Sequence, residues 1–309
     1  MPDPAPLTKQ FQLPSLPLEE WEDTKNVLHL ILQIVGKSRL ALHPKLNHWW
    51  HVTLYVSPRG LTTGAIPYGA GALSVEVDVF DRALMVRASN GVERGFSMQG
   101  LTVAAFYDAL MKLMAEIGVD LKILAEPYDN KHDTPFPDNL LGPCDFDHVL
   151  RFHQSLTGVA SVFETFRGRF LGKSTPVHLF WHSFDLALTR FSGRPAPTMS
   201  GKNPSDAEAY SHEVISFGYW AGDDNVREPM FYSYAYPEPA DLARTTLSPA
   251  AAAWNTDGGS AMALLPYEAV RTASDPKAAL LDFLESAYLA SAEKAGWDIA
   301  ALRLDGAYD

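Results

Sequence analysis

The chain has 309 residues, of which 47% are hydrophobic and 20% charged, a composition that supports a folded core and excludes a disordered polymer. Its 25 Lys and Arg residues against 37 Asp and Glu residues give a formal net charge of -12, which repels phosphate backbones and anionic membrane surfaces. The sequence therefore predicts neither nucleic-acid nor membrane partners.

Cysteine content and targeting signals bear on where the protein resides. Cys144 is the single cysteine, which excludes an intramolecular disulfide and a thiolate zinc cluster. Residues 1–6 lack the cationic and apolar regions of a secretory signal, and the densest apolar run, residues 27–35, is too short to span a bilayer. Together these features predict a cytoplasmic protein.

The first half of the chain is predicted to begin with an amphipathic helix that ends at Gly36. Three extended segments follow, the last closed by the hairpin signal Asn90-Gly91, and a second helix ends at Gly118. These elements are predicted at residues 21–35, 50–57, 73–80, 83–89 and 102–117.

A Pro- and Asp-rich stretch, residues 126–144, is predicted to be a linker. After it, a long helix over 145–170 is expected to end near Gly172. The last helix is predicted to begin at Asp275-Pro276 and to end at Gly296. The strands between these two helices are predicted at 178–189, 211–219, 230–236 and 261–265.

Landmarks of the first half recur in the second half in the same order, which indicates an internal duplication. Residues 74–80 and 211–217 are identical at four of seven positions. The other matched landmarks are Gly36-Lys37-Ser38 with Gly172-Lys173-Ser174, Trp50-His51 with Trp181-His182, and Arg59 with Arg190. The sequence therefore predicts an α+β fold of two duplicated helix/antiparallel-sheet/helix modules, residues 1–125 and 145–309, related by a pseudo-twofold axis.

The two Gly-Lys-Ser tripeptides do not form a phosphate-binding loop. That loop requires an earlier glycine after a strand, whereas Ile31 and Arg167 occupy the two corresponding positions and both tripeptides follow predicted helices. We interpret them as helix caps, and no nucleotide-cofactor motif is found.

Ionisable residues that replace aliphatic residues between the two halves are the best candidates for a site. His182 matches His51, which indicates a shared structural role, but Asp185 stands where the first half has Leu54, and His212 stands where it has Val75. A buried ionisable group is costly without partners, so such replacements point to function.

These candidates predict an enzyme site in the second half, with Asp185 and His212 meeting across the sheet and Arg190 nearby as the catalytic set. An imidazole oriented by a carboxylate suits hydrolase- or lyase-type acid/base chemistry. His178, His212 and Asp185 could together hold a divalent metal, which is the one cofactor that this set suggests. His178 and His182 on a single straight strand would lie roughly 13 Å apart, too far for one metal.

Aromatic residues of the second half suggest a pocket wall. Tyr232 and Tyr234 alternate on one face of a predicted strand, and Trp181 and Tyr210 are the other predicted pocket residues. This pattern supports an alternative function, a non-catalytic small-ligand-binding protein, and a structural or interaction protein is a third hypothesis. The predicted partner is a small-molecule ligand or substrate, and the sequence does not indicate an oligomeric state.

Long motifs run along nearly the whole chain. They are Leu18-Glu19-Glu20-Trp21, Gln33-Ile34-Val35-Gly36-Lys37, Leu46-Asn47-His48-Trp49-Trp50-His51-Val52, Ser57-Pro58-Arg59-Gly60-Leu61-Thr62-Thr63, residues 177–194, Ala209-Tyr210-Ser211-His212-Glu213-Val214 and Tyr234-Ala235-Tyr236-Pro237-Glu238-Pro239. Together these motifs resemble a bacterial family known as domain of unknown function 5996. The resemblance implies no established activity. It also implies that glycine is common at the position of His182, which argues against a catalytic role for this residue.

Overall fold

The computed structural model describes residues 11–198 and 204–304. Residues 1–6, where no secretory signal is predicted, lie outside the described residues. The helices are α1 (Leu18–Leu42), α2 (Val103–Glu116), α3 (Phe146–Arg167), α4 (Pro204–Ala209), α5 (Tyr267–Arg271), α6 (Pro276–Lys294) and α7 (Ile299–Leu302). The strands are β1 (Tyr55–Ser57), β2 (Gly60–Thr62), β3 (Ile66–Tyr68), β4 (Gly71–Asp78), β5 (Ala83–Ala88), β6 (Glu93–Ser97), β7 (His178–Phe180), β8 (Asp185–Pro195), β9 (His212–Trp220), β10 (Met230–Tyr236), β11 (Ala253–Asn255) and β12 (Met262–Pro266).

Two antiparallel sheets and the helices packed on them give the α+β fold that the sequence predicts. The first sheet has the order β1-β2-β4-β5-β6, with β3 paired to β4, and the second has the order β11-β12-β10-β9-β8-β7. A backbone bridge between Leu54 and Leu179 joins the two halves of the chain. Apolar side chains from both halves form one continuous core.

Helix α1 runs between the two halves and is buried at every position from 30 to 39. The prediction that it ends at Gly36 is therefore wrong. A Cβ at Gly36 would lie 2.1 Å from Cδ1 of Trp181, so the glycine provides room for an indole ring and does not cap the helix. The second tripeptide is not a cap either, because α3 ends at Arg167 with Gly168 as its cap.

The predicted strand over 178–189 is two strands with a turn between them. His178 pairs with Ala187 and Phe180 with Asp185, while Phe184 in the turn has a φ of 58°. His178 and His182 therefore do not lie on one straight strand.

The predicted linker packs on the first half, since Phe136 is fully buried and the backbone N–H of Tyr128 donates to Oε1 of Gln33 at 2.7 Å. No helix in the described ranges combines the length and apolar character needed to cross a membrane.

Candidate functional site

A cavity of about 880 Å³ lies between α1 and one face of the second sheet. Its other walls come from the turn at 47–52, the segment 122–128 and α4. Leu124 and Tyr128 at the wall are 67% and 49% exposed, so the cavity reaches the surface there. Pockets of this volume are of the size that binds small molecules.

Alternate residues of three neighbouring strands form the sheet wall of the cavity. In β8 these are Asp185, Ala187 and Thr189, in β9 they are Val214, Ser216 and Trp220, and in β10 they are Tyr232 and Tyr234. Successive side chains of a strand point to opposite faces, so the period-two pattern of the sequence places these groups on one surface. Tyr232 and Tyr234, two of the residues predicted as a pocket wall, both lie on this surface.

Tyr232 reaches Asp185 across an intervening strand. Its hydroxyl donates to Oδ2 of Asp185 at 2.5 Å, although β9 lies between β8 and β10. Gly218 of β9 pairs with both Ala187 and Tyr232, and a Cβ there would lie 2.2 Å from the Tyr232 ring. The missing side chain at Gly218 therefore allows the phenol ring to cross the strand.

Further hydroxyl groups form a network on the same wall. The hydroxyls of Tyr210 and Tyr234 are 2.7 Å apart, and Oγ1 of Thr189 lies 2.7 Å from Oγ of Ser216. Burial raises the pKa of Tyr210 and of Tyr234 above the usual value, so both phenols remain protonated and can donate hydrogen bonds at neutral pH. The wall thus offers polar groups of fixed orientation within an aromatic surface.

The turn between β7 and β8 contributes Trp181 and His182 to the cavity. Burial lowers the pKa of His182, and the nearby Asp185 carboxylate raises it to a smaller extent. The imidazole is therefore mainly neutral at physiological pH and can accept a proton or a hydrogen bond. Ser183 in the same turn donates from its hydroxyl to Oδ1 of Asp185.

The structure does not bring Asp185 and His212 together, which makes the predicted catalytic pair wrong. Asp185 pairs with Trp220 at one end of β9, whereas His212 pairs with Pro195 at the other end. The ends of this strand are roughly 26 Å apart at about 3.3 Å per residue. His212 instead lies beside His48, with ring centroids 5.5 Å apart.

Arg190 lies on the opposite face of the second sheet, so its predicted place beside Asp185 is also wrong. Its guanidinium stacks 3.5 Å from the ring centroid of Phe166 and donates to the carbonyl oxygen of Phe166 at 2.5 Å. Burial lowers its pKa to about 10. Arg190 therefore has a packing role between the sheet and α3.

The predicted metal set is not assembled. His178 is fully buried, both of its ring nitrogens lack a hydrogen-bond partner in the described structure, and its position opposite Ala187 differs from those of Asp185 and His212. Within residues 11–198 and 204–304, no three His, Cys, Asp or Glu side chains are grouped as metal ligands.

Several cavity residues were not predicted from the sequence, among them Trp49, Trp50, Trp220 and Lys37. Trp49, Trp50 and Lys37 belong to the first half of the chain, whereas the predicted site was confined to the second half. The adjacent tryptophans Trp49-Trp50 were the available signal, because large aromatic side chains dominate the walls of binding sites.

The fold and the cavity define an α+β protein with two antiparallel sheets and an aromatic-lined cavity between its halves. The chain belongs to a family of unknown function, DUF5996, whose model matches residues 13–304. The resemblance seen in the sequence motifs is thereby confirmed. No curated protein and no solved structure matches the chain.

Proposed function

We propose that the protein binds a small, mainly apolar molecule in the cavity between α1 and the second sheet. The observation that carries this proposal is the lining, in which Trp49, Trp50, Trp181 and Trp220 surround a few polar groups. An apolar lining with a small number of oriented polar groups is typical of ligand sites. The aromatic walls would supply affinity, and the tyrosine hydroxyls and Asp185 would orient the ligand.

A cavity-filling variant tests the proposal. Leu40 of α1 lines the cavity, and Leu40→Trp should occupy part of the volume and weaken binding of naphthol by about tenfold. Isothermal titration calorimetry measures the affinity. Leu289→Trp is the matched control, because Leu289 is a helical leucine with 39% exposure that does not line the cavity. A naphthol affinity that Leu40→Trp leaves at the wild-type level would contradict the proposal.

Acid/base catalysis is a second candidate function, and it is favoured by the placement of His182 and Asp185 on one cavity. An imidazole that is neutral because burial lowers its pKa can act as a general base. Hydrolysis of nitrophenyl acetate offers a direct test. The wild-type protein should release nitrophenol faster than His182→Gln, and equal rates would remove this candidate.

The duplication of two modules remains a proposal about origin. Residues 74–80 and 211–217 contribute to β4 and β9, which are each followed by an antiparallel partner, β5 and β10. In this interpretation the first module kept Leu54 for the bridge between halves, while the second module acquired Asp185 for the cavity. A structural superposition of the two halves that pairs β4 with β9 and β5 with β10 tests this, and a superposition that fails to pair these strands would refute it.

A further inference from the structure

The wall around Asp185 carries a more specific inference, which rests on the proposed function. We propose that the cavity selects an organic monocation, an amine or a quaternary ammonium on an apolar body, with Asp185 as its counter-ion.

Asp185 lacks the cationic partner that a buried carboxylate usually has. It is 7% exposed, and its hydrogen-bond donors are the neutral hydroxyls of Ser183 and Tyr232. No Lys or Arg of the described chain forms an ion pair with it. Asp78 is the internal comparison, because it is 1% exposed and is paired with Arg59. A buried negative charge is costly without a positive partner, and a bound cation would supply it.

Aromatic side chains flank the Asp185 carboxylate. Phe180 and Trp220 are its cross-strand neighbours on the two adjacent strands, and side chains in such positions lie about 5 Å apart at Cβ. Both residues line the cavity, as does Tyr232, whose ring centroid lies 5.6 Å from that of Trp220. Aromatic faces attract ammonium groups through the ring quadrupole, so this set of rings adds to the attraction of the carboxylate.

The lysines on the cavity lining do not favour an anion at the same place. Lys122 belongs to the segment 122–128, its side chain is 82% exposed, and its Nζ pairs with Asp120 at 2.8 Å. Nζ of Lys37 is 5.8 Å from the Trp181 ring centroid and 6.0 Å from that of Phe136, so aromatic rings already face this ammonium. Asp223 also lines the cavity, and the net charge of -12 raises the local concentration of cations.

The test compares ligands of similar shape and different charge. Phenethylamine and benzyltrimethylammonium are the cationic probes, phenethyl alcohol is neutral, and hydrocinnamate is anionic. Isothermal titration calorimetry with the full-length protein should give phenethylamine an affinity about tenfold above that of phenethyl alcohol. Hydrocinnamate should bind more weakly than both.

Asp185→Asn removes the charge while an amide of nearly the same shape remains. It should reduce phenethylamine affinity by about tenfold or more and reduce phenethyl alcohol affinity much less, because the amide can still form hydrogen bonds with a neutral hydroxyl. Asp147→Asn is the control for the loss of one negative charge, because the Asp147 side chain is 82% exposed and does not line the cavity. Cation affinity should change less than about twofold in this variant.

The outcomes separate this inference from the proposed function. The cation inference is overturned if naphthol binds but phenethylamine binds no better than phenethyl alcohol. It is also overturned if Asp185→Asn leaves the phenethylamine affinity at the wild-type level. In both cases the cavity remains a ligand site. If neither naphthol nor any of the charged probes binds, both proposals fail. Circular dichroism of each variant checks that its folded fraction equals that of the wild type.

Discussion

One glycine, Gly218, decides the shape of the cavity wall. Gly218 lets the Tyr232 ring cross β9 to reach Asp185, and a sequence pattern does not reveal such a requirement because a glycine within a strand has several explanations. The alternation of Tyr232 and Tyr234 was predictable, since it depends only on the strand period.

Gly218→Ala should disturb both stability and binding. The new methyl group would lie 2.2 Å from the Tyr232 ring, and relieving such overpacking costs about 1–3 kcal/mol of unfolding free energy. Urea denaturation measures this change. Gly258→Ala is the control, because no atom lies within 4 Å of a Cβ there, and it should change stability by less than about 0.5 kcal/mol. Equal stability of the two variants would contradict the role given to Gly218.

His178 should make stability depend on pH. Burial lowers its pKa to about 3 from the ordinary 6.5, so between these values the unfolded chain binds a proton that the folded chain does not. The neutral His178 therefore contributes fully to the free energy of unfolding above pH 6.5. Below that pH this free energy falls by about 1.4 kcal/mol per pH unit, because only the unfolded chain takes up the proton.

The variant His178→Leu removes this proton uptake and also removes two ring nitrogens that lack partners in the described structure. Urea denaturation between pH 4 and 6 should show a shallower loss of stability for the variant than for the wild type, by about 1.4 kcal/mol per pH unit. Parallel curves for the two proteins would contradict this prediction, because they would show that His178 has the same pKa in the folded and the unfolded chain.

At the scale of elements, the sequence predicts the main helices and strands but misplaces some of their ends. Gly36 resembles a helix terminator, yet α1 continues because the tertiary contact with Trp181 requires a residue without a Cβ. The turn at 181–184 lacks glycine and proline, so periodicity alone suggests one strand. The supposed pairing of Asp185 with His212 failed because the long β8 extends past an irregularity between Phe191 and Pro195 and places His212 at its far end.

Gly36→Ala tests the packing of α1 on the second half. In an open helix this change stabilises by about 1 kcal/mol, whereas here the methyl group would lie 2.1 Å from Cδ1 of Trp181 and should destabilise by about 1–3 kcal/mol. Gly158→Ala in α3 is the control, because its nearest atom is the terminal Cδ2 of Leu13 at 2.9 Å, which can move. Thermal unfolding of both variants provides the measurement, and a stabilised Gly36→Ala would contradict the packing described.

At the scale of the whole molecule, the cavity is a product of both halves of the chain. The first half supplies α1 and the turn with Trp49 and Trp50, and the second supplies the sheet wall with Trp220 and the β7–β8 turn with Trp181. The sequence indicated two similar halves and aromatic residues in one of them, but it could not show that the halves enclose a common space. That arrangement depends on long-range contacts such as the bridge between Leu54 and Leu179.

The tryptophans allow the central claim to be tested in one experiment. The chain has seven tryptophans, of which Trp49, Trp50, Trp181 and Trp220 line the cavity, whereas the remaining ones, Trp21, Trp254 and Trp297, do not. The measurement is a titration of the ¹⁵N-labelled protein with naphthol, followed by the indole N–H resonances in heteronuclear NMR spectra. A ligand site in the cavity predicts saturable shifts of the four lining indoles and unchanged positions for the other three. Shifts confined to those three, or no shift at any tryptophan, would contradict the claim that this cavity binds small molecules.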